Sequence, residues 1–178
     1  MEEQKSRARD VFEWYDALVF ALAVVVVLFL FGARIITVSG SSMVPTLEGG
    51  NHVLVQSMFY QPRRGDIVVV DGYSAYGDPL IKRVIGVGGD VVDIDFAAGT
   101  VTVNGEVQQE PYISAPTTLS FDVEFPLTVP QGHVFLMGDN RPNSKDSRSS
   151  EIGCPDEREL LGRVLLRVSP LNRLGKVV

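Results

Sequence analysis

The chain has 178 residues, 45% of them hydrophobic and 21% charged, with 16 Lys plus Arg against 22 Asp plus Glu and a formal charge of −6 at pH 7. The acidic balance excludes the basic surface that a nucleic-acid partner needs. A single cysteine, Cys154, excludes an intramolecular disulfide, and no Cys or His cluster has metal-ligand spacing, so neither metal nor cofactor is expected.

The first element is apolar. Residues 17–33 carry no charged side chain, and after Arg34 the apolar character resumes as Ile35-Ile36-Thr37-Val38. At roughly 1.5 Å per residue the run to Ala33 covers about 25 Å and the length to Val38 about 33 Å, enough to cross a hydrocarbon core of about 30 Å. Arg34 can snorkel to the headgroups at one end, and Trp14 and Tyr15 suit the other interface. Lys5, Arg7 and Arg9 precede the span, which puts the N-terminus in the cytoplasm by the positive-inside rule. The expected organisation is a cytoplasmic segment at 1–16, a transmembrane anchor at 17–38 and an extracytoplasmic domain at 39–178. A cleaved secretory signal is the rival reading. It would have a long apolar region and a bulky Phe31 three residues before its cleavage point, so a retained anchor is favoured.

Residues 39–178 are ample for one domain and short for two. Their pattern is β. His52-Val53-Leu54-Val55, Asp66-Ile67-Val68-Val69-Val70, Val91-Val92-Asp93-Ile94-Asp95-Phe96 and Val134-Phe135-Leu136-Met137 are short β-branched runs bounded by Gly, Pro or Asp. Between the first two, Met58-Phe59-Tyr60 reads either as core packing or as an apolar trio that dips into a bilayer. Asn104-Gly105, flanked by Val101-Thr102-Val103 and Glu106-Val107, is a two-residue hairpin signal, because both central positions of a type I′ turn need positive φ. A Ser/Thr-containing loop spans 114–120. Residues 156–161 suggest a short helix or turn leading into a strand at 162–168. The domain is expected to be mostly β and antiparallel, a meander of hairpins.

Ser42 lies a few residues beyond the apolar span, and a serine hydroxyl needs a base to become a nucleophile. His52 sits in an alternating strand pattern and His133 follows a Pro-Gln-Gly turn, which suits structural or surface roles. Of the four lysines, Lys5 precedes the span, Lys176 is in the tail and Lys145 is flanked by Ser, Asp and Arg. Lys82 alone is set in an apolar strand, Ile81-Lys82-Arg83-Val84-Ile85-Gly86. Its placement by itself favours a strand lysine snorkelling to a sheet edge. Burial is the other reading, and burial would lower its pKa and leave a neutral amine able to act as a base.

Four ordered stretches add a resemblance. Ser39-Gly40-Ser41-Ser42-Met43-Val44-Pro45-Thr46-Leu47, Arg64-Gly65-Asp66-Ile67-Val68-Val69, Ile81 to Gly86 with Gly89-Asp90, and Gly138-Asp139-Asn140-Arg141-Pro142-Asn143-Ser144-Lys145-Asp146-Ser147-Arg148 resemble the boxes of the bacterial type I signal peptidases. The likeness continues through Glu110-Pro111-Tyr112 to Pro170-Leu171-Asn172-Arg173. It implies a membrane-bound Ser/Lys endopeptidase that removes signal peptides from exported preproteins after small residues at −3 and −1. It implies also a partly closed antiparallel barrel, similar to the peptidase domain of self-cleaving SOS repressors, and a monomer that works at the lipid bilayer of the cell membrane.

In this resemblance Ser42 is the nucleophile and Lys82 its general base, and Ser144 orients the lysine amine. Asp139 pairs with Arg83, and Asp146 with Arg148. Gly40, Ser41, Met43 and Pro45 form the oxyanion and substrate groove. Two positions depart from the family pattern. Gly40 stands where some members carry a serine that donates to the oxyanion, and Gly86-Val87-Gly88-Gly89-Asp90 lacks the usual proline. A self-cleaving repressor domain should follow a DNA-binding helical domain, a place held here by the apolar run. A non-enzymatic tethered β module would leave Ser42 and Lys82 incidental.

Overall fold

A computed structural model describes residues 2–71 and 79–177, with side chains described from Phe12 onward except at 28–31. One helix, α1 (Glu2–Phe31), is followed by eleven strands in antiparallel pairing. Among the described residues no helix is long and apolar enough to cross a membrane. The expected span of 17–38 is not one helix. It stops at Phe31, and Ala33–Thr37 form β1, paired with β2 (His52–Gln56) from Ala33 opposite Gln56 to Thr37 opposite His52. Hydropathy alone does not separate an apolar helix from the apolar strand after it. Here the β-branched Ile35, Ile36 and Thr37 favour the ladder.

The larger sheet has the order β1-β2-β10-β3-β4-β9, with β3 at Ile67–Val70, β4 at Leu80–Val87, β9 at Val134–Met137 and β10 at Leu160–Ser169. β11 (Gly175–Lys176) pairs with the far end of β10. The smaller sheet has the order β7-β6-β5-β8, from β5 (Val91–Asp95), β6 (Thr100–Val103), β7 (Glu106–Val107) and β8 (Leu127–Thr128). Asn104 at φ 54° and Gly105 at φ 81° make the turn between β6 and β7, the left-handed pair that a type I′ hairpin requires. The short helical segment anticipated near 156–161 is a single 3₁₀ turn, Glu157–Glu159, capped by the Asp156 carboxylate.

The sheets stay open, which corrects the expected partly closed barrel. β1 and β9 end the larger sheet and do not pair with each other. Instead, the loops that follow them meet: the Asn140 N–H donates to the Ser42 carbonyl at 3.0 Å and the Asn140 amide to the Ser41 carbonyl at 3.0 Å. One main-chain and one side-chain hydrogen bond from Asn140 join the two loops.

Burial follows the pleat. On β3, Ile67 and Val69 join a cluster with Val53, Val55, Met43 and Leu47, while Val68 and Val70 join Val84, Val134 and Leu136 on the other face. A strand buried on both sides reads as a continuous apolar run, as β3 does. The smaller sheet packs Val92, Ile94, Val101 and Val103 against Phe135 and Met137.

Candidate active site

Ser42 lies in the turn that follows β1. Met43 and Leu47, four residues apart and fully buried, fasten that turn to the core, and the Leu47 N–H donates to the Met43 carbonyl at 2.8 Å. Val38 and Asn51 close its base through a 2.8 Å hydrogen bond. Arg167 on β10 adds a clamp, donating to the Thr46 carbonyl at 3.0 Å. Between these anchors Ser42 remains half-buried on the wall of a groove shared with Ile36, Val38, Leu80, Ile81 and Lys82.

Lys82 reaches the same spot from the middle of β4. It is 3% exposed, and its Nζ lies 2.7 Å from Ser42 Oγ, close enough for a hydrogen bond. Burial pushes its pKa down to about 8 from the ordinary 10.5, with Arg148 adding to the fall and Asp146 and Asp139 opposing it. The partner of the amine is a neutral hydroxyl, which does little to hold the charged form.

Around this pair the charges are buried and satisfied. Arg83 donates from Nε and Nη2 to the two Asp139 oxygens at 2.8 and 2.7 Å, to the Gly65 carbonyl at 2.9 Å, and its guanidinium lies 3.8 Å from the Tyr112 ring centre. Thr46 donates its hydroxyl to Asp139 as well. Arg148 donates to both Asp146 oxygens, at 2.8 and 3.0 Å, and to the carbonyls of Leu119, Arg141 and Ser144. The second Asp146 oxygen also accepts the Gly138 N–H at 3.0 Å. Asp139, Asp146 and Arg148 are all at 0% exposure, so these pairs are shielded from water and salt.

Ser144 is 2% exposed and its Oγ has no hydrogen-bond partner, so the bond to the lysine amine that the resemblance implies is not made in this state. It packs against Gly138, where an added Cβ would run into both the Ser144 side chain and the Ser42 carbonyl. Only glycine lets the strand end approach the nucleophile turn this closely. Gly40 takes φ +78°, a conformation that side chains rarely adopt, and Ser41 and Pro45 are exposed at the turn surface. No acceptor for the Ser42 N–H is found among the described residues, which leaves it available to an oxyanion. Among the described residues no cluster of His, Cys, Asp or Glu could hold a metal.

Sequence reasoning left out Asn140 and Arg141 as supports, and the bond from Thr46 to Asp139. Asn140 holds the carbonyls of Ser41 and Ser42, and Thr46 holds Asp139. Arg141, 1% exposed, grips Glu110 and Thr117 and donates to the Gly138 carbonyl at 3.2 Å. Arg141 and Asn140 both sat inside a recognised box, and their polarity beside buried Met137 was the available signal.

The fold and this serine-bearing groove are those of a β-rich peptidase. The family described as "Signal peptidase, peptidase S26" matches residues 11–169. The chain is 35% identical to a signal peptidase I of Bacillus licheniformis, over 99% of each chain. It is 34% identical to a signal peptidase IB of Staphylococcus aureus, over 92% of each. A probable signal peptidase I-1 of Synechocystis is 35% identical over 90% of this chain and 83% of its own. The chain belongs to the bacterial type I signal peptidase family and is a serine peptidase that processes signal peptides.

Proposed function

We propose that Ser42 is the nucleophile and Lys82 its general base, in a membrane-anchored monomer that cuts preproteins after small residues at −3 and −1. The observation that carries this reading is the 2.7 Å contact between Lys82 Nζ and Ser42 Oγ, with the lysine 3% exposed. A neutral amine at that distance takes the hydroxyl proton as Oγ attacks the scissile carbonyl. The resulting ammonium returns the proton to the leaving amine, which departs and leaves an acyl group on Ser42. Lys82, neutral again, then deprotonates the water that hydrolyses that ester.

The oxyanion formed in each half-reaction needs donors fixed in advance, each worth about 3–4 kcal/mol of barrier. The Ser42 N–H is one. Gly40 supplies backbone only, so no side chain at that position donates to the oxyanion. Substrate enters extended beside β4, with shallow pockets in the groove wall formed by Ile36, Val38, Leu80 and Ile81 for its small side chains. Asp139 with Arg83, and Asp146 with Arg148, hold the walls of the site.

For the anchor, support comes from α1. Its apolar part runs from residue 17 to Phe31, about 22 Å at roughly 1.5 Å each, and its described side chains are exposed, with Leu18 at 67% and Phe20 at 72%. The anchor spans the cell membrane with residues 1–16 in the cytoplasm and the peptidase domain outside. Sharing a bilayer with the apolar segment of the signal peptide raises the effective concentration of the cleavage site. Cleavage of an Ala-X-Ala preprotein by the detergent-solubilised chain tests the reading: Ser42→Ala and Lys82→Ala should each abolish it. Wild-type rates in both would reject the dyad.

A further inference from the structure

The stretch 110–123, which contains the Ser/Thr loop, adds no strand to either sheet, yet it reaches all three buried arginines of the site. The Tyr112 ring centre lies 3.8 Å from the Arg83 guanidinium, Glu110 and Thr117 hold Arg141, and the Leu119 carbonyl accepts from Arg148 at 2.9 Å. At its other side the strap is tied to the smaller sheet. The Gln108 N–H donates to the Val101 carbonyl at 2.9 Å, and the Thr117 N–H to the Gly99 carbonyl at 3.0 Å. Ordering such a segment costs conformational entropy, and within 110–123 only Thr117 is buried. Core packing does not account for it. Its contacts with the arginines do.

Tyr112 bears most directly on the reacting pair. Arg83 holds the two Asp139 oxygens at 2.8 and 2.7 Å in the plane of its guanidinium, and the Tyr112 ring covers the face that those hydrogen bonds leave open. A recess lined by exposed Arg64, Gly65 and Gln109 reaches Tyr112, so the ring stands between Arg83 and solvent on that side. The ring is itself fixed, because its hydroxyl donates to Glu110 at 3.1 Å and Glu110 pairs with Arg141. Beyond Arg83, Asp139 accepts the Thr46 hydroxyl from the nucleophile turn. Burial acts on Lys82 first, and after it the charges of Asp146, Arg148 and Asp139 in the loop after β9. Its hydrogen-bond partner, the Ser42 hydroxyl, is neutral.

We propose that Tyr112 is a positioning residue for the reaction at Ser42: by holding Arg83 against Asp139 it keeps that carboxylate neutralised and the Thr46 end of the nucleophile turn in place. The inference rests on the Ser42 and Lys82 roles proposed above. Without the ring face, water reaches the guanidinium and the ion pair loosens. The Asp139 charge then acts on Lys82 uncompensated and favours the ammonium, which is no base. The phenol does not titrate in its own right over the assay range, since burial and the Glu110 carboxylate push its pKa up.

Four full-length, detergent-solubilised proteins test this on a soluble Ala-X-Ala peptide. They are the wild type, Tyr112→Phe, Tyr112→Leu, and a protein with pentafluorophenylalanine at position 112, which keeps the shape of the ring and reverses the charge of its face. Tyr112→Phe loses only the bond to Glu110, so its kcat should stay within about twofold of wild type and its kcat/KM limb near pH 8. Tyr112→Leu and the fluorinated ring should each lower kcat about tenfold, leave KM within about twofold, and move the limb upward from pH 8. A fluorinated protein that matches Tyr112→Phe would overturn the proposal, and this comparison holds even if Tyr112→Leu fails to fold. So would a Tyr112→Leu protein that unfolds at lower denaturant with kcat and limb unchanged, since packing alone would explain it. A limb near pH 8 in all four proteins rejects the role of Tyr112 and leaves the dyad standing, whereas cleavage by Lys82→Ala at the wild-type rate rejects both.

Discussion

Lys82 and Arg83 are consecutive cations on β4, 3% and 2% exposed, and their side chains leave opposite sides of the strand. On the Arg83 side, a bidentate carboxylate, a carbonyl and an aromatic face surround the guanidinium. On the Lys82 side, the hydrogen bond goes to a neutral serine hydroxyl, and the nearest carboxylate influences act through space. Equal burial has opposite results. Arg83 stays a fixed charge that braces a wall, whereas Lys82 loses its grip on its proton. At equal depth, what separates a structural cation from a reactive amine here is the chemistry of the side chain together with its partner.

The largest effect falls at the lysine. Lys82→Arg keeps the charge and a donor but cannot release a proton at accessible pH, so preprotein cleavage should fall by at least about 10²-fold, as for Lys82→Ala. An active Lys82→Arg enzyme would mean that the cation, not the free base, matters.

On the other side, Asp139→Asn leaves Arg83 buried without its counter-charge and should cost about 3–5 kcal/mol in denaturant unfolding. Arg83→Met combined with Asp139→Leu should recover most of that. Failure of the double variant to recover would place the loss in Thr46 and the nucleophile turn instead of in the pair.

Lys82→Met should do the reverse and stabilise the fold while abolishing activity. Below pH 8 the folded state holds a buried ammonium. Between about 8 and 10.5 the folded lysine is neutral while the unfolded one is still protonated, so wild-type stability rises with pH through that window. The gain from Lys82→Met is therefore about 3 kcal/mol near pH 7 and fades toward pH 10.5. The smallest expected effect is that of Asn140→Ala, which removes one hydrogen bond to the Ser41 carbonyl. It should cost about 1 kcal/mol of stability and lower kcat several-fold with little change in KM.

The strands were legible because β-branched runs and turn residues mark them locally, and Asn104-Gly105 fixed one hairpin outright. The sheet order was not. β10 lies between β2 and β3, roughly a hundred residues earlier in the chain, and no local pattern announces such a pairing. The same distance in sequence hid Thr46 on Asp139, 93 residues away, and Asn140 on Ser41, 99 residues away. Ser42 and Lys82 stood out by elimination of other bases, and the ordered boxes decided between a buried and a snorkelling lysine. β1 was absorbed into the apolar span because Gly32, where the helix gives way to strand, interrupts geometry without interrupting hydropathy.

The pH dependence of kcat/KM for a soluble Ala-X-Ala peptide reports the free enzyme's essential base, and so reads the protonation of Lys82 itself. With Lys82 as the base, an ascending limb is expected near pH 8, retained in a His52→Ala, His133→Ala double variant. A limb near the ordinary lysine value of 10.5, or one near 6.5 that vanishes with the histidines, would contradict it.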